Sequence, residues 1–132
     1  MRVVVDTSVF VSSFFGGPPR KIIDLWKSGA FFLCLSPGIV DEYVTVLRRL
    51  GLDGEDELGE LLALFARGEH ILFAAQPPEL SVVKADPADD KFIECAVALE
   101  AEVIITGDKA LLDIRNYTGI RILSPTEFLK NK

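Results

Sequence analysis

The sequence is poor in the residues that support nucleophilic or zinc-dependent catalysis. It has a single histidine, His70, and two cysteines, Cys34 and Cys95, with no CxxC spacing. His70 directly precedes the strand-like residues 71–73, so the sequence offers no Ser–His–Asp or Cys–His system. Because both cysteines lie in apolar stretches, we expect buried free thiols rather than a disulfide or a zinc site.

Long apolar runs and targeting signals are also missing. No run reaches the ~18–20 apolar residues that a membrane-spanning helix requires. Residues 1–15 lack the charged start and the small-residue cleavage site of a signal peptide. We therefore expect a soluble, cytoplasmic protein that has no membrane partner.

Positive charge is scarce as well. Lys and Arg number 14 against 20 Asp and Glu, which gives a formal net charge of -6. A broad basic face for non-specific binding of nucleic acid is therefore not expected. An enzyme that grips phosphate through bound metal ions and a few local cations is compatible with this charge, and the acidity suits a basic protein partner.

The chain is rich in apolar residues, which make up 49% of its 132 positions, and we expect one globular domain over residues 1–132. Stretches rich in Val and Ile alternate with stretches of helical periodicity. This alternation predicts an α/β fold with a parallel sheet that is covered on both faces. The predicted strands are 2–6, 30–35, 70–74, 103–106 and 120–123, and the predicted helices are 7–14, 19–27, 37–50, 56–67 and 87–100, with short turns from Lys109 and Pro125.

Acidic residues stand at strand ends and helix starts. Asp6 ends the first predicted strand, and Asp108 follows the fourth after Thr106 and Gly107. Groups beyond the carboxyl ends of neighbouring parallel strands converge in one crevice. Clustered carboxylates repel one another unless protons or hard cations such as Mg²⁺ or Mn²⁺ lie between them. The pattern therefore favours a metal-dependent site that cleaves phosphate esters.

Each acid also has a purely structural interpretation. Asp6 is a possible helix cap, although Thr7 at the next position would leave its carboxylate free. Glu42 lies near a helix start, where negative charge is favourable, and has no cation at i+3 or i+4. Asp108 is an ordinary residue for a turn after Gly107. The joint pattern is stronger evidence than any one of these residues.

Three aspartates crowd the start of the predicted helix 87–100. Capping explains Asp86. Asp90 has Ile93 and Val97 at i+3 and i+7, beside the core face, and is the preferred site residue. Asp89 also borders the apolar side and is the reserve candidate.

Cations near these acids are candidates for contacting phosphate. Lys109, which adjoins Asp108, is the best placed by sequence. Solvated surface positions are the commoner explanation for it and for the other candidates, Arg20, Lys21, Arg48 and Arg49.

Five short motifs follow one another in order along the chain. They are Val-Val-Val-Asp6-Thr7-Ser8-Val9, Glu42 in the helix after Ser36-Pro37, Asp90-x-Phe92-Ile93-x-x-Ala96, Ile105-Thr106-Gly107-Asp108, and the closing Ile122-Leu123-Ser124-Pro125-x-Glu127-Phe128-Leu129. This ordered set resembles the PIN domain family. The resemblance is nearest to the prokaryotic toxin–antitoxin branch, relatives of VapC-type toxins, and covers essentially the whole chain.

The resemblance implies a three-layer α/β/α sandwich with Mg²⁺- or Mn²⁺-dependent endoribonuclease activity on RNA. It also implies a homodimer and a small antitoxin protein as partner. Carried onto this sequence, the catalytic and metal-binding residues are Asp6, Glu42, Asp90 and Asp108, and Ser8 and Thr106 orient the carboxylates.

Other classes fit the sequence less well or remain open. An aspartyl-phosphate phosphatase needs a second aspartate two residues after Asp6, where this chain has Ser8. A receiver domain needs an aspartate that ends a middle strand, whereas Asp53 lies in a helix connection. A PIN-like module that binds RNA or protein without cutting keeps the same acids and stays an open alternative.

Overall fold

A six-stranded sheet forms the centre of the computed structural model, which describes residues 1–130 apart from the side chain of residue 57. The strands are β1 (Arg2–Val5), β2 (Phe32–Leu35), β3 (Ile71–Phe73), β4 (Val103–Ile105), β5 (Asn116–Tyr117) and β6 (Ile120–Leu123). Their order across the sheet is β3-β2-β1-β4-β6-β5. Neighbouring strands are parallel except β5 and β6, which pair antiparallel.

Strands β1 and β4 occupy the middle of the sheet because they are apolar on both faces. Val3 and Val5 in β1, and Val103 and Ile105 opposite them in β4, are all fully buried. β-branched side chains suit such doubly covered parallel strands. The aligned register brings the carboxyl ends of β1 and β4 to the same level, so the residues that follow them are neighbours.

Helices cover both faces of the sheet, which confirms the predicted α/β/α architecture. The helices are α1 (Thr7–Ser12), α2 (Gly17–Lys27), α3 (Pro37–Arg49), α4 (Asp56–Arg67), α5 (Asp90–Ala98), α6 (Lys109–Leu112) and α7 (Pro125–Lys130). Within residues 1–130, none of these helices combines the length and apolar character needed to cross a bilayer.

The structure departs from the sequence prediction mainly at two places, apart from shifts of a few residues at the ends of elements. A 3₁₀ turn over Pro87–Asp89 precedes α5, where a continuous helix was expected from residue 87. The short strand β5, which forms a hairpin with β6, was not predicted at all. A two-residue strand is too short to produce an alternating pattern that sequence analysis can detect.

An aromatic stack holds α3 against α1 and the central strand. The rings of Phe10 and Tyr43 are nearly parallel with centroids 4.0 Å apart. Both side chains are buried, and the hydroxyl of Tyr43 donates a hydrogen bond to the carbonyl oxygen of Val5. Since Glu42 precedes Tyr43, this packing also fixes the position of the Glu42 side chain beside the end of β1.

The two cysteines are buried free thiols, which confirms that prediction. Burial raises the pKa of Cys34 to about 11 and that of Cys95 to about 12. A thiol with such a pKa carries almost no thiolate near neutral pH and is a poor nucleophile. The cysteines therefore belong to the core.

Candidate metal centre

An acidic cleft of about 340 Å³ lies beyond the carboxyl ends of β1 and β4. Carboxylates from four parts of the chain converge on it, although these parts are widely separated in sequence. The lining residues are Asp6, Thr7, Ser8, Glu42, Asp89, Phe92, Gly107 and Asp108. The cleft thus contains three of the four predicted site acids, together with the reserve candidate Asp89.

Asp6 is at the base of the cleft and is only 3% exposed. Its Oδ1 accepts hydrogen bonds from Ser8 Oγ at 2.9 Å and from the Val9 amide at 3.0 Å. Its Oδ2 accepts a hydrogen bond from the hydroxyl of Thr106. Asp6 is therefore the N-cap of α1. The prediction that Thr7 caps this helix is wrong.

Burial raises the pKa of Asp6 above its usual value, because removing the carboxylate from water disfavours its charged form. The hydrogen bonds from Thr106, Val9 and Ser8 act in the opposite direction, and the negative charge of Asp108 adds to the increase. The carboxylate is fixed in position by its donors, yet its charge is incompletely compensated. A nearby cation would supply that compensation.

Thr106 connects the two strand-end acids. Its hydroxyl donates to Asp6, while the same oxygen accepts a hydrogen bond from the Asp108 amide at 2.9 Å. Asp108 in turn caps α6, with its Oδ1 accepting from the Ala110 amide at 3.0 Å. This chain of contacts fixes the spacing of Asp6 and Asp108.

Glu42 has a partner on each carboxylate oxygen. Oε1 accepts a hydrogen bond from the Thr7 hydroxyl, and Oε2 is 2.5 Å from the Nζ atom of Lys91. In the sequence, no cation stands at i+3 or i+4 from Glu42. The structure supplies one from α5, at a separation along the chain that no local pattern reveals.

Asp89 lines the cleft, whereas Asp90 does not. Oδ1 of Asp90 accepts hydrogen bonds from the amides of Val82, at 3.0 Å, and Val83, at 2.8 Å. The preference for Asp90 assumed a regular helix from residue 87. The 3₁₀ turn that ends at Asp89 changes the angular position of the two residues and brings the reserve candidate, Asp89, to the cleft.

Asp89 and Asp108 are close enough to share a proton, and their pKa values move apart. The pKa of Asp89 is raised to about 8, chiefly by burial and in addition by hydrogen bonding to Asp108 and by the charges of Asp108, Asp86 and Asp6. The hydrogen bond from Asp89 lowers the pKa of Asp108. Carboxylate oxygens of Asp89 and Asp108 lie within 4.8 Å of each other, and two ionised carboxylates that close require a proton or a cation between them.

The arrangement of oxygen atoms fits a hard divalent cation. One carboxylate oxygen from each of Asp86, Asp89 and Asp108 lies within 4.8 Å of the others. Oδ2 of Asp89 is buried and accepts no hydrogen bond from the described residues, so either the proton shared with Asp108 or a cation would satisfy it. Buried oxygens of this kind are normally satisfied, and carboxylate oxygens are the ligands that Mg²⁺ and Mn²⁺ prefer.

Asp86 and Lys91 are two charged residues near the cleft that are not among the predicted site residues. Asp86 caps the 3₁₀ turn as expected, since its Oδ1 accepts a hydrogen bond from the Ala88 amide at 3.2 Å. Because capping alone explains an aspartate at position 86, nothing in the sequence indicated that Asp86 lies near Asp89 and Asp108. Lys91 is associated with the cleft through its contact with Glu42, which lies on another helix and therefore at no recognisable spacing in the sequence.

The cations that the sequence analysis named lie in other environments. Lys109 forms an ion pair with Asp113 at 2.8 Å and its side chain is 86% exposed. Arg20 donates to the carbonyl oxygens of Ser13 and Phe14. Among the ion pairs of the described residues, the pair that includes an acid of the cleft is Lys91 with Glu42.

Comparison with known proteins agrees with the geometry. A family model for the PIN domain matches residues 2–110, a span that runs from β1 into α6 and contains every acid of the cleft. The sequence matches no curated protein. Because the matched span covers most of the chain, the protein belongs to the PIN domain family, whose members are generally metal-dependent nucleases.

Proposed function

We propose that the protein is a metal-dependent endoribonuclease that hydrolyses RNA phosphodiester bonds. The observation that carries the proposal is the convergence of Asp6, Glu42, Asp89 and Asp108 in one cleft, with a buried oxygen of Asp89 that has no partner. Membership of the PIN domain family supports a nuclease. The choice of RNA as substrate comes from the resemblance to toxin-branch PIN domains.

The residues of the cleft divide into those with open oxygens and those already bonded. Asp89, Asp108 and Asp86 present the oxygens that would hold Mg²⁺ or Mn²⁺ directly. A bound cation of this type supplies Lewis-acid chemistry, lowering the pKa of water and stabilising the charge that develops on phosphate. Ser8 and Thr106 hold the Asp6 carboxylate in one orientation, so its charge faces the cleft at a fixed place.

We further propose that the protein is the toxin of a toxin–antitoxin pair, of the VapC-like branch. The order and spacing of the motifs support that branch. A formal net charge of -6 suits a small basic antitoxin as partner. A homodimer and a cytoplasmic location, where RNA substrates occur, belong to the same proposal.

A cleavage assay tests the nuclease proposal. Several structured and unstructured RNAs are incubated with the protein in Mn²⁺, in Mg²⁺ and in EDTA, and the products are resolved by size. We expect cutting that requires the metal and that Asp6→Asn abolishes. Glu79→Gln removes an exposed carboxylate of the 75–86 segment, away from the cleft lining, and serves as the control that retains cutting.

The alternative is a PIN-like module that binds RNA or protein without cutting. One observation favours it: both oxygens of Glu42 are engaged, by Thr7 and by Lys91, so this acid offers no open ligand atom. Metal binding without cleavage of any RNA by the wild-type protein would support the binding module. Metal-dependent cleavage that is lost in Asp6→Asn would eliminate it.

A further inference from the structure

We infer that Lys91 is a substrate-binding residue whose ammonium group contacts a phosphate oxygen of the RNA at the cleft, and that Glu42 positions it. The inference rests on the proposed function for its substrate. It assigns to Glu42 the role of holding a cation at the mouth of the cleft, in place of a direct metal ligand.

The position of Lys91 follows from its contacts. Its Nζ lies 2.5 Å from Oε2 of Glu42, which lines the cleft, and 5.7 Å from the ring centroid of Phe92, which also lines it. The ammonium group is therefore within hydrogen-bonding distance of the cleft wall. The side chain is 25% exposed, so it remains in part accessible to a ligand.

Lys91 has donors left over for a ligand. An ammonium group carries three N–H donors and no acceptor. One donor is directed at Glu42, and no other hydrogen bond of this group is present among the described residues. A phosphate oxygen that approaches the cleft can accept one of the remaining donors without breaking the ion pair.

Electrostatics make such a cation necessary at this site. The cleft is lined by Asp6, Glu42, Asp89 and Asp108, and a phosphodiester is itself an anion. A bound divalent ion offsets the acids that hold it, but the flanking acid Glu42 would still repel the backbone of the RNA. Lys91 neutralises Glu42 and places positive charge beside the wall of the cleft.

The experiment measures the salt dependence of RNA binding apart from cleavage. Affinities of a fluorescein-labelled oligouridylate are determined by anisotropy over a range of KCl concentrations, in Ca²⁺, which carboxylate sites also bind. Each phosphate contact of a single strand contributes about 0.7 to the slope of log affinity against log salt. For Lys91→Met we expect the slope to fall by about that amount, whereas Lys91→Arg retains it.

Lys27→Met is the matched control. Lys27 also forms an ion pair with a glutamate, Glu60, and its side chain is 22% exposed. It ends α2, which leads into the start of β2, so it lies at the opposite end of the strands from the cleft. We expect its removal to leave the slope at the wild-type value.

A double variant separates two effects of removing Lys91: the loss of a contact with phosphate, and the repulsion of RNA by a Glu42 carboxylate that no longer has its cation. In Glu42→Gln/Lys91→Met the ion pair is removed without leaving an unpaired carboxylate, and Gln retains an acceptor for Thr7. A slope as low as that of Lys91→Met supports the contact. A wild-type slope in either variant, or no RNA binding by the wild-type protein, would overturn the inference.

Failure of the proposed function has a different signature. If the wild-type protein binds the oligouridylate with the expected change for Lys91→Met, but cuts no RNA in Mn²⁺, the phosphate contact holds and the nuclease assignment fails. Should Lys91→Met not fold, as judged by circular dichroism, Lys91→Gln replaces it with the same expected slope.

Discussion

At the scale of single residues, Asp89 and Asp90 are adjacent in sequence but have different environments. Asp89 lines the acidic cleft and has a buried oxygen without a partner, while Asp90 accepts two backbone hydrogen bonds from residues 82 and 83. Carboxylates that accept backbone amides stabilise a chain segment, whereas unsatisfied buried oxygens indicate a place for a ligand. Asp90 therefore stabilises the segment of residues 82 and 83, and it is not among the residues that line the cleft.

The role of Asp90 gives a prediction on stability. Asp90→Ala leaves the Val82 and Val83 amides without their acceptor, so we expect the free energy of unfolding to fall by about 1–3 kcal/mol. Urea denaturation followed by circular dichroism measures it. Glu79→Gln, which removes an exposed carboxylate of the same segment, should change the stability little. Equal losses for the two variants would contradict the assigned role of Asp90.

The raised pKa values of Asp89 and Asp6 predict how stability depends on pH. A carboxyl group whose pKa is higher in the folded state than in the unfolded chain binds its proton more tightly when folded. Its contribution to stability is therefore complete below the ordinary pKa of aspartate and is lost as pH rises through the folded value, about 8 for Asp89. In EDTA, the free energy of unfolding should thus fall between about pH 5 and pH 8.

Asp89→Asn is the variant that tests the origin of this pH dependence. The substitution removes the titrating group, so the fall in stability toward alkaline pH should become smaller in urea titrations at several pH values. The lowered pKa of Asp108 acts in the opposite sense, since its contribution is lost only as pH decreases. A wild-type protein that gains stability from about pH 5 to pH 8 in EDTA would contradict the account.

At the scale of secondary-structure elements, the strands and helices with strong patterns were predictable from sequence. Strand β4 (Val103–Ile105) is a buried Val and Ile run, and helix α4 begins and ends at the predicted residues 56 and 67. The 3₁₀ turn before α5 was not predictable, because its helical pitch depends on tertiary contacts. Since a change of pitch rotates every following side chain, the choice between Asp89 and Asp90 was the part of the site that sequence could not decide.

Contacts between distant elements were the other part that the sequence did not reveal. Lys91 of α5 meets Glu42 of α3, and Thr7 of α1 meets the same glutamate. Local spacing rules describe pairs three or four residues apart on one helix and carry no information on such contacts. The strand-end acids were accessible to sequence analysis because sheet topology, rather than side-chain packing, brings them together.

The connection between α2 and β2 allows a prediction at this scale. Gly29 has a φ of +84°, and a Cβ atom added there would lie 2.9 Å from Nε2 of His70. We expect Gly29→Ala to lower the free energy of unfolding by about 1–2 kcal/mol because of the left-handed backbone, with an added loss from the His70 contact. Thermal unfolding of the purified variant measures the change.

Gly38→Ala is the matched control for that substitution. Gly38 lies in the first turn of α3 (Pro37–Arg49), and a Cβ atom added there meets nothing within 4 Å. Alanine has a higher helix propensity than glycine, so stability should rise by up to about 1 kcal/mol. A loss at Gly38 as large as that at Gly29 would show that backbone conformation is not the cause.

At the scale of the whole molecule, the order of the strands determines where the chemistry is placed. Putting β1 and β4 side by side in the middle of the sheet brings Asp6 and Asp108 together, helix α3 adds Glu42, and the 3₁₀ turn before α5 adds Asp89. The protein is acidic overall, and it concentrates negative charge at that end of the sheet even though like charges repel one another. Under the proposed function, a bound divalent cation would make this concentration of charge compatible with an anionic substrate.

The most direct test of the account is calorimetric titration of Mn²⁺ into the wild-type protein, Asp89→Asn and Asp90→Asn. We predict saturable binding by the wild type, affinity weakened by more than about ten-fold in Asp89→Asn, and near wild-type affinity in Asp90→Asn. Binding that is lost in Asp90→Asn and retained in Asp89→Asn, or no binding by the folded wild-type protein, would contradict the metal centre described above.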